Sequence, residues 1–277
     1  MSGQRRGPRS DGKLLVIGGA ESHDTGADAI LERFIKLAGG HEARLVVIAT
    51  ASHSPAERER EYTEIFQRLG AQEVTALRLG SREQANSDDA VAIVEQATGV
   101  FFTGGDQLRV ATRLGGSRVD STLHARLADG LVLAGTSAGA AMMSSTMILG
   151  GSEASLSTGS VRTGPGLEFL PGVLIDMHFA ERGRLNRLLS AIAMFPHELG
   201  LGIDENTAIL VEGVRFEVLG AGSVTVIDAG PATTISLPDG GDSDGPIALC
   251  DVRLHVLPAG YAFELTDRRP VEDRNAH

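Results

Sequence analysis

The pentapeptide Gly135-Thr136-Ser137-Ala138-Gly139 matches the pattern G-x-S-x-G, with a serine set between small residues. The apolar run Leu131-Val132-Leu133-Ala134 precedes it, and the composition from Ala138 to Met147 favours a helix. A strand, a sharp turn and a helix in that order make a nucleophile elbow, where only small neighbours fit around the serine. The hydroxyl then stands at a helix N-terminus, whose partial positive charge favours developing negative charge. The chemistry implied is nucleophilic attack by Ser137 on an acyl carbon.

Such a serine needs a base. Of the histidines, His178 follows the apolar run Val173-Leu174-Ile175-Asp176 closely, which places it near a strand end, where parallel sheets gather their sites. Most of the others read as surface or loop residues. The base needs an acceptor for its second ring nitrogen. Asp204 and Glu205, within Gly202-Ile203-Asp204-Glu205-Asn206-Thr207, both qualify on sequence.

A second glycine turn, Gly104-Gly105-Asp106-Gln107, ends the apolar run Gly99-Val100-Phe101-Phe102. Free N–H groups of Gly105 and Asp106, together with that of Ala138, would form an oxyanion hole. No Lys-Ser/Thr pair follows these glycines, which excludes a Walker A loop. Gly18-Gly19-Ala20-Glu21 lacks the further glycines of a dinucleotide fingerprint. His197-Glu198 does not complete H-E-x-x-H because position 201 is Leu, and no Cys/His cluster offers a zinc site. Arg182, Arg184 and Arg187 follow His178, and guanidinium forks grip carboxylates at two points.

The elements that must position these residues alternate. Leu14–Ile17, Leu45–Ile48, Glu73–Leu77, Gly99–Phe102 and Leu131–Ala134 read as strands, with helical segments between them. Strands apolar on both faces and separated by helices predict a doubly wound, mostly parallel α/β sheet covered on both sides. From about residue 206 the pattern changes to crowded strands without helices, which predicts a β-rich, antiparallel C-terminal extension. Residues 1–11 read as a polar, Arg-rich tail and 12–277 as a single domain; 239–245 read as a polar loop.

The chain has 277 residues, 42% of them hydrophobic and only 4% aromatic, so the core rests on Ala, Val, Ile and Leu. A net charge of −11 argues against binding to nucleic acid or an acidic membrane surface. No run reaches transmembrane length and no signal-peptide segment follows the arginines at the start, so the chain reads as cytoplasmic. The single cysteine, Cys250, excludes an intramolecular disulfide and reads as a buried strand thiol.

Several of these segments occur together in the order seen in the cyanophycinases, which belong with the peptidase E-like serine peptidases. They are Gly18–Glu21, Ala49–Ser52, Phe102–Gln107, Gly135–Ala140, Asp176–Arg184 and Gly202–Glu205. The resemblance implies a fold related to class I glutamine amidotransferases, a homodimer, and a serine triad without metal or cofactor. It assigns Ser137 as nucleophile, His178 as base and Glu205 as the residue orienting the base. It places Gln107, Asp176, Arg182, Arg184 and Arg187 along the substrate. The implied substrate is cyanophycin, a poly-aspartate with arginine on each side chain, released as β-Asp-Arg dipeptides. Acidic groups would then hold the substrate guanidinium. Met177 stands where such enzymes usually carry Gln, and it offers no amide for hydrogen bonding. The alternatives are a peptidase acting on short Asp-containing peptides and a non-catalytic binding module of the same fold.

Overall fold

A computed structural model describes residues 12–20, 27–151, 155–237 and 245–271. The expected tail over 1–11 and most of the polar loop over 239–245 lie outside the described residues. Strands β1 (Lys13–Ile17), β2 (Arg44–Ile48), β3 (Glu73–Ala76), β4 (Gly99–Phe102) and β5 (Val132–Thr136) run parallel, in the order β1-β5-β4-β2-β3. Helix α1 (Ala27–Leu37) joins β1 to β2, and α2 (Pro55–Arg68) joins β2 to β3. Helices α3 (Arg82–Ala85) and α4 (Asp88–Gln96) lead to β4; α5 (Gln107–Leu114) and α6 (Arg118–Ala128) lead to β5.

Both faces of this sheet are buried, which explains the unbroken apolar runs. Leu15 and Ile17 of β1 pack with Phe34, Phe66 and Phe101 on one side. Leu14 and Val16 pack with Val46, Ile48 and Phe102 on the other. Ser87 and Ser117 cap α4 and α6 by accepting the N–H groups of Ala90 and Asp120 at 3.2 Å each.

After β5 the chain departs from the expected helix. Helix α7 covers only Ala138–Ala141, and β6 (Thr146–Gly151) begins soon after. Ser144 is the physical reason: its hydroxyl lies 2.8 Å from the carbonyls of both Ala141 and Thr146, closing a turn where a helix would have continued. Strand β6 forms a hairpin with β7 (Val161–Pro165).

Strand β8 (Val173–Met177), helix α8 (Leu185–Met194) and strand β9 (Leu199–Ile203) form a parallel unit in a second sheet. The chain then crosses to the first sheet, where β10 (Thr207–Glu212) lies antiparallel to β1 and pairs with β11 (Arg215–Gly220). Strand β12 (Ser223–Asp228) returns to the second sheet, alongside β9. Strands β13 (Thr234–Ser236) and β14 (Ala248–Cys250) pair with each other. Strand β15 (Arg253–Pro258) closes the second sheet, and β16 (Ala262–Glu264) and β17 (Arg269–Val271) extend the first to nine strands. The C-terminal part is therefore β-rich and antiparallel. Cys250 is exposed on the small β13–β14 ribbon, not buried as its apolar neighbours suggested.

Candidate active site

The carboxyl end of β1 is the point where the two sheets meet. The Ile17 carbonyl accepts the Ser137 N–H at 3.0 Å, the Gly18 carbonyl accepts the His178 N–H at 2.9 Å, and the Gly19 carbonyl accepts the Asn206 N–H at 2.9 Å. Three successive carbonyls thus anchor the ends of β5, β8 and the β9–β10 crossover. Ser137, His178 and Asn206 hold φ of 52°, 49° and 50°, in the left-handed region that L-residues seldom occupy. Each corner turns the chain sharply at a strand end.

This backbone brings three side chains into line. The Ser137 hydroxyl lies 2.9 Å from Nε2 of His178, and Nδ1 of His178 lies 2.6 Å from Oε1 of Glu205. One tautomer satisfies both contacts: Nδ1–H donates to Glu205, and Nε2 accepts from the serine. Asp204, the other candidate, is committed elsewhere. Its Oδ1 accepts the Ala180 N–H at 3.1 Å, and its Oδ2 accepts the N–H and hydroxyl of Ser223 at 3.0 and 2.8 Å. Glu181 accepts the Glu205 N–H at 3.2 Å, fixing the crossover beside the imidazole.

The Gly104-Gly105 turn comes up against the serine: a methyl group built on Gly104 would stand 3.4 Å from the Ser137 Cβ. Gly105, with φ of +141°, packs so tightly on β2's exit loop that a Cβ would fall 2.2 Å from the Ala51 carbonyl oxygen. Among the described residues, no backbone carbonyl engages the N–H of Gly105 or of Ala138. The Asp106 N–H, by contrast, donates to the Ala51 carbonyl at 2.9 Å, so it is not free for an oxyanion as the sequence suggested. The Asp106 carboxylate caps α5 through the Leu108 N–H at 2.9 Å.

The residues expected along the substrate are placed differently from that expectation. Asp176 is fully buried, and Arg187 grips it with Nε at 2.9 Å and also through Nη2. Arg184 reaches the same carboxylate at 3.4 Å and also donates to the Met177 carbonyl. Asp176, Arg184 and Arg187 therefore form a buried ionic cluster behind the end of β8, not an open row of ligands. Met177 is buried in the core. The Gln107 amide donates to the Ile148 carbonyl at 2.7 Å, tying α5 to the β6 hairpin. Arg182 is exposed.

A cleft of about 390 Å³ opens over Ser137 and His178. Part of its lining is a feature that sequence reasoning missed: His53, Ser54, Glu57 and Arg58, where the exit of β2 runs into α2. The available signal was topological, since any loop leaving the carboxyl end of a parallel strand borders the crevice. Among the described residues there is no group of three or more His, Cys, Asp or Glu placed to hold a metal ion, and no helix long and apolar enough to cross a membrane.

Residues 14–219 match the description of peptidase family S51. The chain is 41% identical over 258 residues to a cyanophycinase of Nostoc sp., an alignment covering 92% of this chain and 86% of the relative. It is 39% identical to a cyanophycinase of Geminocystis herdmanii, over 93% of this chain and 95% of that one. In three dimensions it resembles the crystal structure of a peptidase from an acI-B1 Actinobacterium, with a TM-score of 0.67 at 21% identity, covering 93% of this chain and 98% of that one. A putative peptidase E protein from Listeria monocytogenes aligns with a TM-score of 0.52 at 14% identity, over 76% of this chain and 99% of that one.

Proposed function

Because the chain belongs to peptidase family S51, we propose that it is a serine peptidase that degrades cyanophycin to β-Asp-Arg dipeptides through an acyl-enzyme. The single observation that carries the chemistry is the continuous hydrogen-bonded line from Ser137 through His178 to Glu205. The identity of about two residues in five with cyanophycinases, across most of the chain, supports the substrate.

In this reading Ser137 occupies a nucleophile elbow. Its Oγ attacks the scissile carbonyl while Nε2 of His178 takes the hydroxyl proton. Glu205 holds the imidazole by Nδ1–H and stabilises the imidazolium that forms. The N–H groups of Gly105 and Ala138 receive the oxyanion. As the intermediate collapses, the C–N bond breaks and His178 gives its proton to the leaving amine. Water then enters, loses a proton to His178 and attacks the ester. The ester bond to Oγ breaks, and His178 returns the proton to Ser137. The reading includes a cytoplasmic homodimer with one hydrolytic domain over 12–277 and no nucleic-acid or membrane partner. Its support is the family resemblance and the acidic net charge.

Incubation of the purified protein with cyanophycin, followed by mass analysis, tests the substrate. Release of β-Asp-Arg by the wild type and its loss in Ser137→Ala is the expected result. Cleavage of short aspartyl peptides alone, with the polymer intact, would overturn the polymer assignment. Dipeptide release by Ser137→Ala would overturn the nucleophile.

A further inference from the structure

We propose that Glu57, which lines the same cleft as the Ser137–His178 pair, is the residue that binds a guanidinium group of the substrate. This rests on the reading above and adds to it the residue that selects arginine.

The wall is rigidly built. Ser54 donates its N–H to the Ser52 hydroxyl at 3.0 Å, and Glu57 donates its N–H to the Ser54 carbonyl at 3.2 Å. Arg109 braces the same loop, reaching the Ser52 carbonyl at 3.1 Å and the His53 ring at 3.0 Å. Glu57 is exposed and borders the cleft that contains Ser137 and His178.

Charge singles it out. Arg58, its neighbour on the wall, is already paired with Glu61. Among the described residues, Glu57 is the one carboxylate bordering the cleft, and it makes no ion pair. The other well-placed acids are saturated: Asp204 by Ala180 and Ser223, Asp176 by two arginines. An unpaired carboxylate in a concave site attracts a cation, and its two oxygens match the fork of a guanidinium. A free carboxylate at the same cleft as Ser137 is a fitting receptor for an arginine side chain.

The test uses the full chain and two synthetic aspartyl polymers, one bearing arginine side chains and one bearing citrulline, which has the same shape without the charge. In the wild type kcat/KM should favour arginine by about tenfold or more, the range of one charge-assisted hydrogen-bonded pair. Glu57→Gln should erase that preference, mainly through KM, and Glu57→Asp should restore part of it. An unchanged arginine-to-citrulline ratio in Glu57→Gln overturns the proposal.

A second readout needs no turnover. Free L-arginine should slow labelling of Ser137 by a fluorophosphonate more than L-citrulline does, and Glu57→Gln should remove the difference. If the polymer is left intact while this protection depends on Glu57, the substrate assignment fails and the subsite stands. If dipeptide is released with equal selectivity by wild type and Glu57→Gln, the subsite fails and the function stands.

Discussion

Gly19 lies directly against the imidazole of His178: a methyl group built on its Cα would stand 2.2 Å from Cε1 and 2.7 Å from Nε2 of the ring. The missing side chain leaves the seat of the imidazole. Gly19 also holds a φ of +120°, and its carbonyl anchors Asn206. In Gly19→Ala the ring must shift by about an ångström, which costs on the order of 100-fold in kcat where reacting groups are misplaced by that much. Steady-state kinetics beside a thermal melt would check this. A variant that keeps full kcat would show that the ring position is not critical.

Glu205→Gln should lower kcat by about 10³–10⁴-fold, because an amide permits the wrong imidazole tautomer and loses the charge that stabilises the imidazolium. Its melting temperature should change little. Asp204→Ala should do the reverse. It strands the N–H of Ala180 and the N–H and hydroxyl of Ser223, so about 1–3 kcal/mol of stability is lost. Denaturant titration and kinetics on the two variants separate the neighbouring carboxylates.

Asp176→Asn should be a stability mutant. The buried carboxylate pairs with both Arg184 and Arg187, and removing one partner of a buried ionic cluster costs about 3–5 kcal/mol. A lower urea midpoint is the expected outcome. A raised KM with unchanged stability would instead put Asp176 in contact with substrate.

Glu198 carries a buried carboxylate, its Oε2 without a partner among the described residues. Burial pushes its pKa up, only partly offset by His197 and Arg268. A carboxyl raised in the folded state favours folding while protonated, and that stability is lost as pH rises through the folded pKa. Glu198→Gln should therefore melt higher than wild type at neutral pH. The gap should narrow as pH falls into the ordinary carboxylate range. A calorimetric series across pH would show a flat difference if the side chain were solvated.

The parallel sheet was legible because strands buried on both faces write unbroken apolar runs. Ser137 and His178 were legible because each follows such a run. The rest depended on geometry that spacing does not encode. Asp204 and Glu205 are adjacent and chemically alike, and only the crossover with its left-handed Asn206 sends one to the imidazole and the other to Ser223. Regular alternation would set Asp176 and His178 on one face, but His178 turns left-handed as it leaves β8. The carboxylate consequently stays behind in the core. Ser144 ends a helix that composition favoured. The α2 wall, with Glu57, was missed because its place depends on the path of a loop.

The left-handed corners at Ser137, His178 and Asn206 also bear on how such a protein evolves. Each holds an L-residue in a conformation that costs about 1–3 kcal/mol. The scaffold therefore carries part of its conformational load at the rim where the proposed reactive groups stand. Drift towards a hardier molecule would relax those corners first and blunt its reactivity, so thermal robustness and turnover draw on the same few backbone angles.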